Sequence, residues 1–281
     1  MSTTAAGSPV PAGARSGVPF RALVRSELTK ILSTRLWWAL LVGAVIYTML
    51  QSGATAALSG VRNGAGQGSL PPLSSAVAIR SIYAGSAFSG AYIFALVLGV
   101  TGMTGEHRYQ TATPTFLATP RRARVVLAKS LSHVAVGICY GVVAVLTALL
   151  VGGVVIAIRG HSPSLGAEGL WRALLLAVLA VGVWTMVGIG IGTMIRNQIA
   201  AIMVAVAVTF LVEPLLSLGL HAGNLDSVGK FLPSSASSAM TSPSSPYGEL
   251  LPWWGGALVL LGYALAFAAA GIVLTVRRDV T

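Results

Sequence analysis

Residues 172–220 read RALLLAVLAVGVWTMVGIGIGTMIRNQIAAIMVAVAVTFLVEPLLSLGL, with only Arg172, Arg196 and Glu213 charged. A helix needs about 20 apolar residues to cross the hydrocarbon core of a bilayer. This stretch is long enough for two crossings, and residues 195–198, Ile-Arg-Asn-Gln, divide it. Because the dividing turn is short, we predict two antiparallel neighbouring helices, over 172–194 and 199–220.

The rest of the chain repeats this pattern. Only 9% of the 281 residues are charged, 55% are hydrophobic, and the mean hydropathy is +0.82. A soluble domain carries roughly 25% charged residues. We therefore predict an all-α polytopic integral membrane protein, with six transmembrane helices within residues 37–276. The other four are expected over 37–58, 82–104, 131–158 and 253–275.

The distribution of basic residues indicates the orientation. With the N-terminus inside, 13 of the 18 Lys and Arg residues lie on the cytoplasmic side. This excess favours a plasma-membrane protein with both ends in the cytoplasm. It also accounts for the net charge of +11, so we expect no nucleic-acid partner. The five basic residues on the outer side are Arg62, Arg80, Arg159, Arg172 and Lys230.

The segments that flank the transmembrane region differ in character. Residues 1–19 are small, polar and rich in Pro and Gly, which predicts a disordered cytoplasmic tail. Residues 277–281 form a second short cytoplasmic tail. Residues 20–36 place apolar side chains on one side and basic ones on the other, as in an amphipathic interfacial helix.

Glu27 lies in the middle of the apolar side of that helix. A carboxylate in lipid is costly unless it is paired. We therefore expect this side to contact protein, with Glu27 paired to a basic residue of another loop or of a partner subunit. The alternative is that Glu27 pairs with Lys30 and reaches towards the headgroups.

Residues 105–129 read GEHRYQTATPTFLATPRRARVVLAK and are the most basic internal segment. Pro114 and Pro120 leave room for about one helical turn between them. A short turn held between two long helices would move both together when force acts on it. The alternative is an ordinary basic cytoplasmic loop.

This segment resembles the cytoplasmic loop of type-2 (export-type) ABC transporter permeases. Residues 20–36 also resemble the family, in Glu27, Lys30, Ser33 and Arg35, and Pro233 is a weaker match. Gln110 departs from the family, which usually has Gly before the Thr. The loop residues that carry the resemblance are Gly105, Glu106, Thr111, Pro120, Arg121, Arg122, Arg124 and Lys129.

The resemblance implies a dimer, with itself or with a second permease, in which each permease docks a cytoplasmic ABC ATPase. Docking would use the amphipathic helix and a coupling loop over 105–124, and the substrate would be exported. The chain has no G-x-x-x-x-G-K-[ST] phosphate loop, so we expect ATP and Mg to bind the partner. We expect no enzymatic activity, cofactor or metal site in this chain. The coupling residues implied are Glu27, Glu106, Arg108, Thr111, Pro120 and Arg122.

Glu213 is the one acidic residue well inside an apolar run. Intramembrane carboxylates often have a function, so Glu213 is a candidate for a substrate path or gate. The alternative is that it reaches interfacial water. The lone carboxylate argues against an ion-coupled secondary transporter, which remains an alternative together with a non-transporting scaffold.

Residues 221–251 form a long outer connection, rich in Ser and Pro. Its composition favours a flexible loop, whereas the family resemblance implies short re-entrant helices.

Overall fold

The computed structural model describes residues 19–61, 70–108, 122–195, 197–242 and 250–277. Among these residues every regular element is helical. Six helices are long and apolar enough to cross a membrane. The predicted all-α, multi-pass membrane class is confirmed.

The first described elements are α1 (Phe20–Ser33) and the first span, α2 (Leu36–Leu58). The second span combines α3 (Ala76–Arg80), a π-helical turn (Ser81–Gly85) and α4 (Ser86–Arg108). The third and fourth spans are α5 (Arg122–Ile158) and α6 (Leu170–Met194). The remaining elements are α7 (Gln198–Ala207), a second π-helical turn (Val208–Val212), α8 (Glu213–Ala222), α9 (Asp226–Gly229), α10 (Pro233–Thr241) and the sixth span, α11 (Trp253–Arg277).

The centre of the bundle is the contact between α4 and α6. Their spans are 72% and 67% buried, whereas each of the other four is at most 28% buried. A Cβ on Gly99 would lie 2.1 Å from the Thr185 carbonyl oxygen, and one on Gly188 would lie 2.2 Å from that of Leu96. Glycine therefore lets the two backbones touch, as small residues do between membrane helices.

The two π-helical turns interrupt long spans. The second, Val208–Val212, lies directly before Glu213 and Pro214. A proline lacks an N–H, and a local π turn is a common way to accommodate the broken ladder. The first, Ser81–Gly85, contains no proline.

The outer connection contains helices in its described part. Residues of α10 pack against α11 and α6, and Ala236, Ser237, Met240 and Thr241 are buried. The expectation from composition alone, a flexible loop, is wrong for 233–241. The local sequence has no strong helix signal, and contacts with the spans stabilise this short helix instead.

Candidate functional site

Helix α1 lies against α5 along one side. Its buried residues Leu23, Glu27 and Ile31 recur every four positions and therefore share one face. The Ser132 hydroxyl donates a hydrogen bond to the Val24 carbonyl at 3.1 Å. The expectation that this side contacts protein is confirmed.

Glu27 has two basic partners. Its Oε2 accepts from Lys129 Nζ at 2.5 Å, and its Oε1 accepts from Lys30 Nζ at 2.5 Å. Both expected partners are present: Lys129 belongs to the helix that follows residues 109–121, and Lys30 is the neighbour one turn away. The Glu27 side chain is only 4% exposed, so it does not reach solvent.

Glu106 joins the same group at the end of the second span. Its Oε1 lies 3.0 Å from Lys129 Nζ and 3.5 Å from Lys30 Nζ. Glu27, Lys30, Glu106 and Lys129 thus form one cluster with two charges of each sign, which we call the charged cluster. Its formal balance is what allows four ionic side chains to share a largely desolvated site.

Lys129 lies at the centre of the charged cluster. Its Nζ contacts Glu27, Glu106 and the Gly102 carbonyl, which is 3.2 Å away. An ammonium has three N–H donors, so these three acceptors satisfy it. Lys30, whose side chain is 45% exposed, is the member that reaches the surface.

The neighbouring lysines determine the ionisation of Glu27. Burial raises the pKa of Glu27, but the Lys129 and Lys30 ammonium groups outweigh burial and hold that pKa below its ordinary value of 4.5. Glu27 is therefore a carboxylate at neutral pH.

A second polar layer lies directly behind the cluster. The His133 ring Nδ1 is 2.9 Å from the Lys129 carbonyl oxygen. A Cβ on Gly102 would lie 1.9 Å from His133 Nε2, so only glycine leaves room for the ring. This contact brings α4 and α5 together beside the Lys129 ammonium.

The charged cluster therefore joins three helices near one end of the bundle. Glu27 and Lys30 come from α1, Glu106 from the last turn of α4, and Lys129 from the first turns of α5. Helices α4 and α5 flank residues 109–121, the central part of the predicted coupling loop.

The other predicted coupling residues are separate from the cluster. Arg108 is exposed and donates to the Gln198 side-chain oxygen at 3.2 Å, which connects α4 to α7. Arg122 begins α5, but its side chain is not among those described. Thr111 and Pro120 lie outside the described residues.

Sequence reasoning missed Lys129 as the shared partner of Glu27 and Glu106. It placed the third span at 131–158, which left Lys129 in the loop. In the structure the helix already begins at Arg122, so Lys129 is helical and faces α1. A signal existed in the sequence, since Ser132 and His133 follow Lys129 as further polar residues within the apolar run.

Glu213 lies in a different environment. It is 6% exposed and accepts a hydrogen bond from the Ser234 backbone N–H at 2.5 Å, in the first turn of α10. The Trp184 indole donates to the Ser237 hydroxyl at 3.0 Å. Glu213 therefore binds α10 rather than reaching water.

No group of three or more His, Cys, Asp or Glu residues in the described ranges could hold a metal ion. A comparison with models of known protein families finds no match, and a comparison with curated proteins finds none either.

Proposed function

We propose that this chain is the membrane-spanning permease subunit of an ATP-binding-cassette transporter, acting as a dimer in the plasma membrane. The observation that carries the proposal is the charged cluster. It joins the amphipathic helix to both helices that flank the basic loop, the two segments expected to dock an ATPase.

The cluster gives those segments a common mechanical connection. Lys129 contacts Glu27 and Glu106 at once, so a displacement of α1 relative to α5 strains the contact with α4 as well. Breaking such a pair leaves an uncompensated buried charge, which costs about 3–5 kcal/mol. The three helix ends therefore move together rather than singly.

The connection continues into the core of the bundle. Helix α4 packs most extensively against α6, and their backbones touch at Gly99 and Gly188. Force on the loop would thus reach the centre of the bundle through α4. In this proposal ATP and Mg bind the partner, the permease binds no cofactor, and the substrate moves outward.

The buried carboxylate of Glu213 favours a second candidate, an ion-coupled secondary transporter. It lies within the fifth span, and the described residues place no Lys, Arg or His within 4 Å of it. Such a carboxylate could exchange a proton during transport. The hydrogen bond to Ser234 would then change between two states.

The test is affinity purification of the tagged full chain in mild detergent, with mass spectrometry of the co-purified proteins. We expect an ATP-binding subunit, and we expect its loss when residues 111–120 are replaced by a Gly/Ser linker. Replacing the outer residues 162–166 with the same linker is the matched control. Recovery of the chain alone, with substrate moved by an ion gradient, would favour the secondary transporter.

A further inference from the structure

At the end of the bundle opposite the charged cluster, two arginines converge on one pocket. Arg80 ends α3 and Arg172 lies in the first turn of α6. A Cβ built on Gly169 would lie 3.2 Å from an Nη of Arg80 and 3.3 Å from an Nη of Arg172. Because both nitrogens lie that close to the same point, they are at most about 6.5 Å apart.

The pocket between them is open and small. Its cavity volume is about 30 Å³, and Thr241, Ser242 and Trp253 also line it. Pockets for drug-sized ligands begin at about 300 Å³, so this one has room only for a small group, such as the head of a larger molecule. The Arg172 guanidinium lies over the Trp253 ring, 5.2 Å from its centroid, which fixes one wall.

Among the described residues, the two guanidinium groups have no acidic partner. In the described parts of the chain, no carboxylate lies within 4 Å of either guanidinium. The Arg80 Nε is buried, and its N–H donates to no acceptor there. A half-buried guanidinium with an unsatisfied N–H gains free energy when an anion supplies the missing acceptor.

We propose that Arg80 and Arg172 bind a phosphate group at the outer membrane surface. Two guanidinium groups this close can donate to different oxygens of one phosphate, and the arginine fork fits phosphate geometry. The basic-residue distribution places this end outside, and Trp253 is of the type found at the headgroup level. The phosphate belongs either to an anionic lipid or to a free ion.

The absence of a side chain at Gly169 leaves room for the two guanidinium groups to approach each other. Gly169 has φ +70°, and a side chain there would meet both guanidinium groups. Gly160 has a similar φ of +77° but nothing within 4 Å of its would-be Cβ. Gly160→Ala therefore introduces the same backbone strain as Gly169→Ala without touching the arginines, and it serves as the matched control.

The test uses the delipidated full chain in non-ionic detergent. Binding of dioleoylphosphatidylglycerol is measured by native mass spectrometry, with dioleoylphosphatidylcholine as the reference lipid, and inorganic phosphate is titrated by calorimetry. We expect each of Arg80→Gln and Arg172→Gln to weaken binding about tenfold. Lys230→Gln, which removes a half-buried basic charge outside the pocket, should leave it unchanged. Gly169→Ala should weaken it more than Gly160→Ala.

The two probes distinguish the source of the phosphate. If phosphatidylglycerol binds through the arginines and inorganic phosphate does not displace it, the phosphate belongs to a lipid headgroup. Arginine-dependent binding of inorganic phosphate alone indicates a free ion. If Arg80→Gln fails to fold, the binding measured for Arg172→Gln and for the two glycine variants, Gly169→Ala and Gly160→Ala, still tests the proposal. Equal binding by wild type, Arg172→Gln and Lys230→Gln would overturn the proposal.

Discussion

The two ends of the bundle handle buried charge in opposite ways. At one end the charged cluster pairs two carboxylates with two ammonium groups, and Lys129 has an acceptor for each N–H. At the other end Glu213 accepts from a backbone N–H, and Arg80 and Arg172 have no carboxylate within 4 Å in the described residues.

This difference separates two kinds of site. Internally matched charges make the contact between α1, α4 and α5 stable without any ligand, as the proposed force-transmitting connection requires. Unmatched charges at the opposite end leave capacity for an external partner. The comparison predicts that removing charge will be costly at the first end and cheap at the second.

The largest effect is expected from Lys129→Met. The substitution leaves Glu27 and Glu106 buried with only the half-exposed Lys30 between them, and we expect a loss of about 3–5 kcal/mol in stability. Thermal unfolding of the purified chain in detergent measures it. The exposed outer residue Glu168 provides the control, Glu168→Gln. A melting temperature for Lys129→Met equal to that of the control would show that the cluster does not depend on charge pairing.

A matched pair of carboxylate variants tests the same difference between the two ends of the bundle. Glu27→Gln removes a charge that Lys129 needs, so we expect a loss of about 3 kcal/mol. Glu213→Gln keeps an oxygen that can accept the Ser234 N–H, so we expect less than about 1 kcal/mol. Both are measured by thermal unfolding under identical conditions. Equal losses in the two variants would show that charge matters alike at both ends.

Close backbone packing, rather than ion pairing, should hold the outer helix. A Cβ on Gly256 would lie 2.4 Å from the Ala236 carbonyl oxygen, at the contact between α11 and α10. We expect Gly256→Ala to cost about 1–3 kcal/mol. Gly262→Ala lies on the same helix with nothing within 4 Å and should unfold like the wild type. Identical melting of the two alanine variants would contradict this account.

The smallest effect concerns pH. Because the pKa of Glu27 is lowered in the folded chain, its contribution is complete above the unfolded value, near 4.5, and is lost as pH falls through the folded value. The gap in melting temperature between wild type and Glu27→Gln should be constant from about pH 8 to 5 and narrow below about pH 4.5. A gap that narrows already between pH 7 and 6 would contradict the assignment.

The spans were predictable because membrane solvation imposes a long apolar run, a local property of sequence. That Glu27 pairs with a basic residue was predictable, since a carboxylate on an apolar face needs a partner of opposite charge. The identity of that partner depended on where α5 begins, and helix ends are weakly encoded. Helix α10 was not predictable from composition, because Glu213 and Trp184, distant in sequence, supply its contacts.

We propose that the charged cluster holds α1 and the loop-flanking helices in the arrangement that docks an ATPase. The most direct measurement is the amount of ATP-binding subunit recovered per tagged chain, compared between wild type, Glu27→Gln and Glu168→Gln. Each variant is first checked for a monodisperse elution profile. We predict a several-fold lower recovery for Glu27→Gln and wild-type recovery for Glu168→Gln. Equal recovery from all three chains would contradict the account.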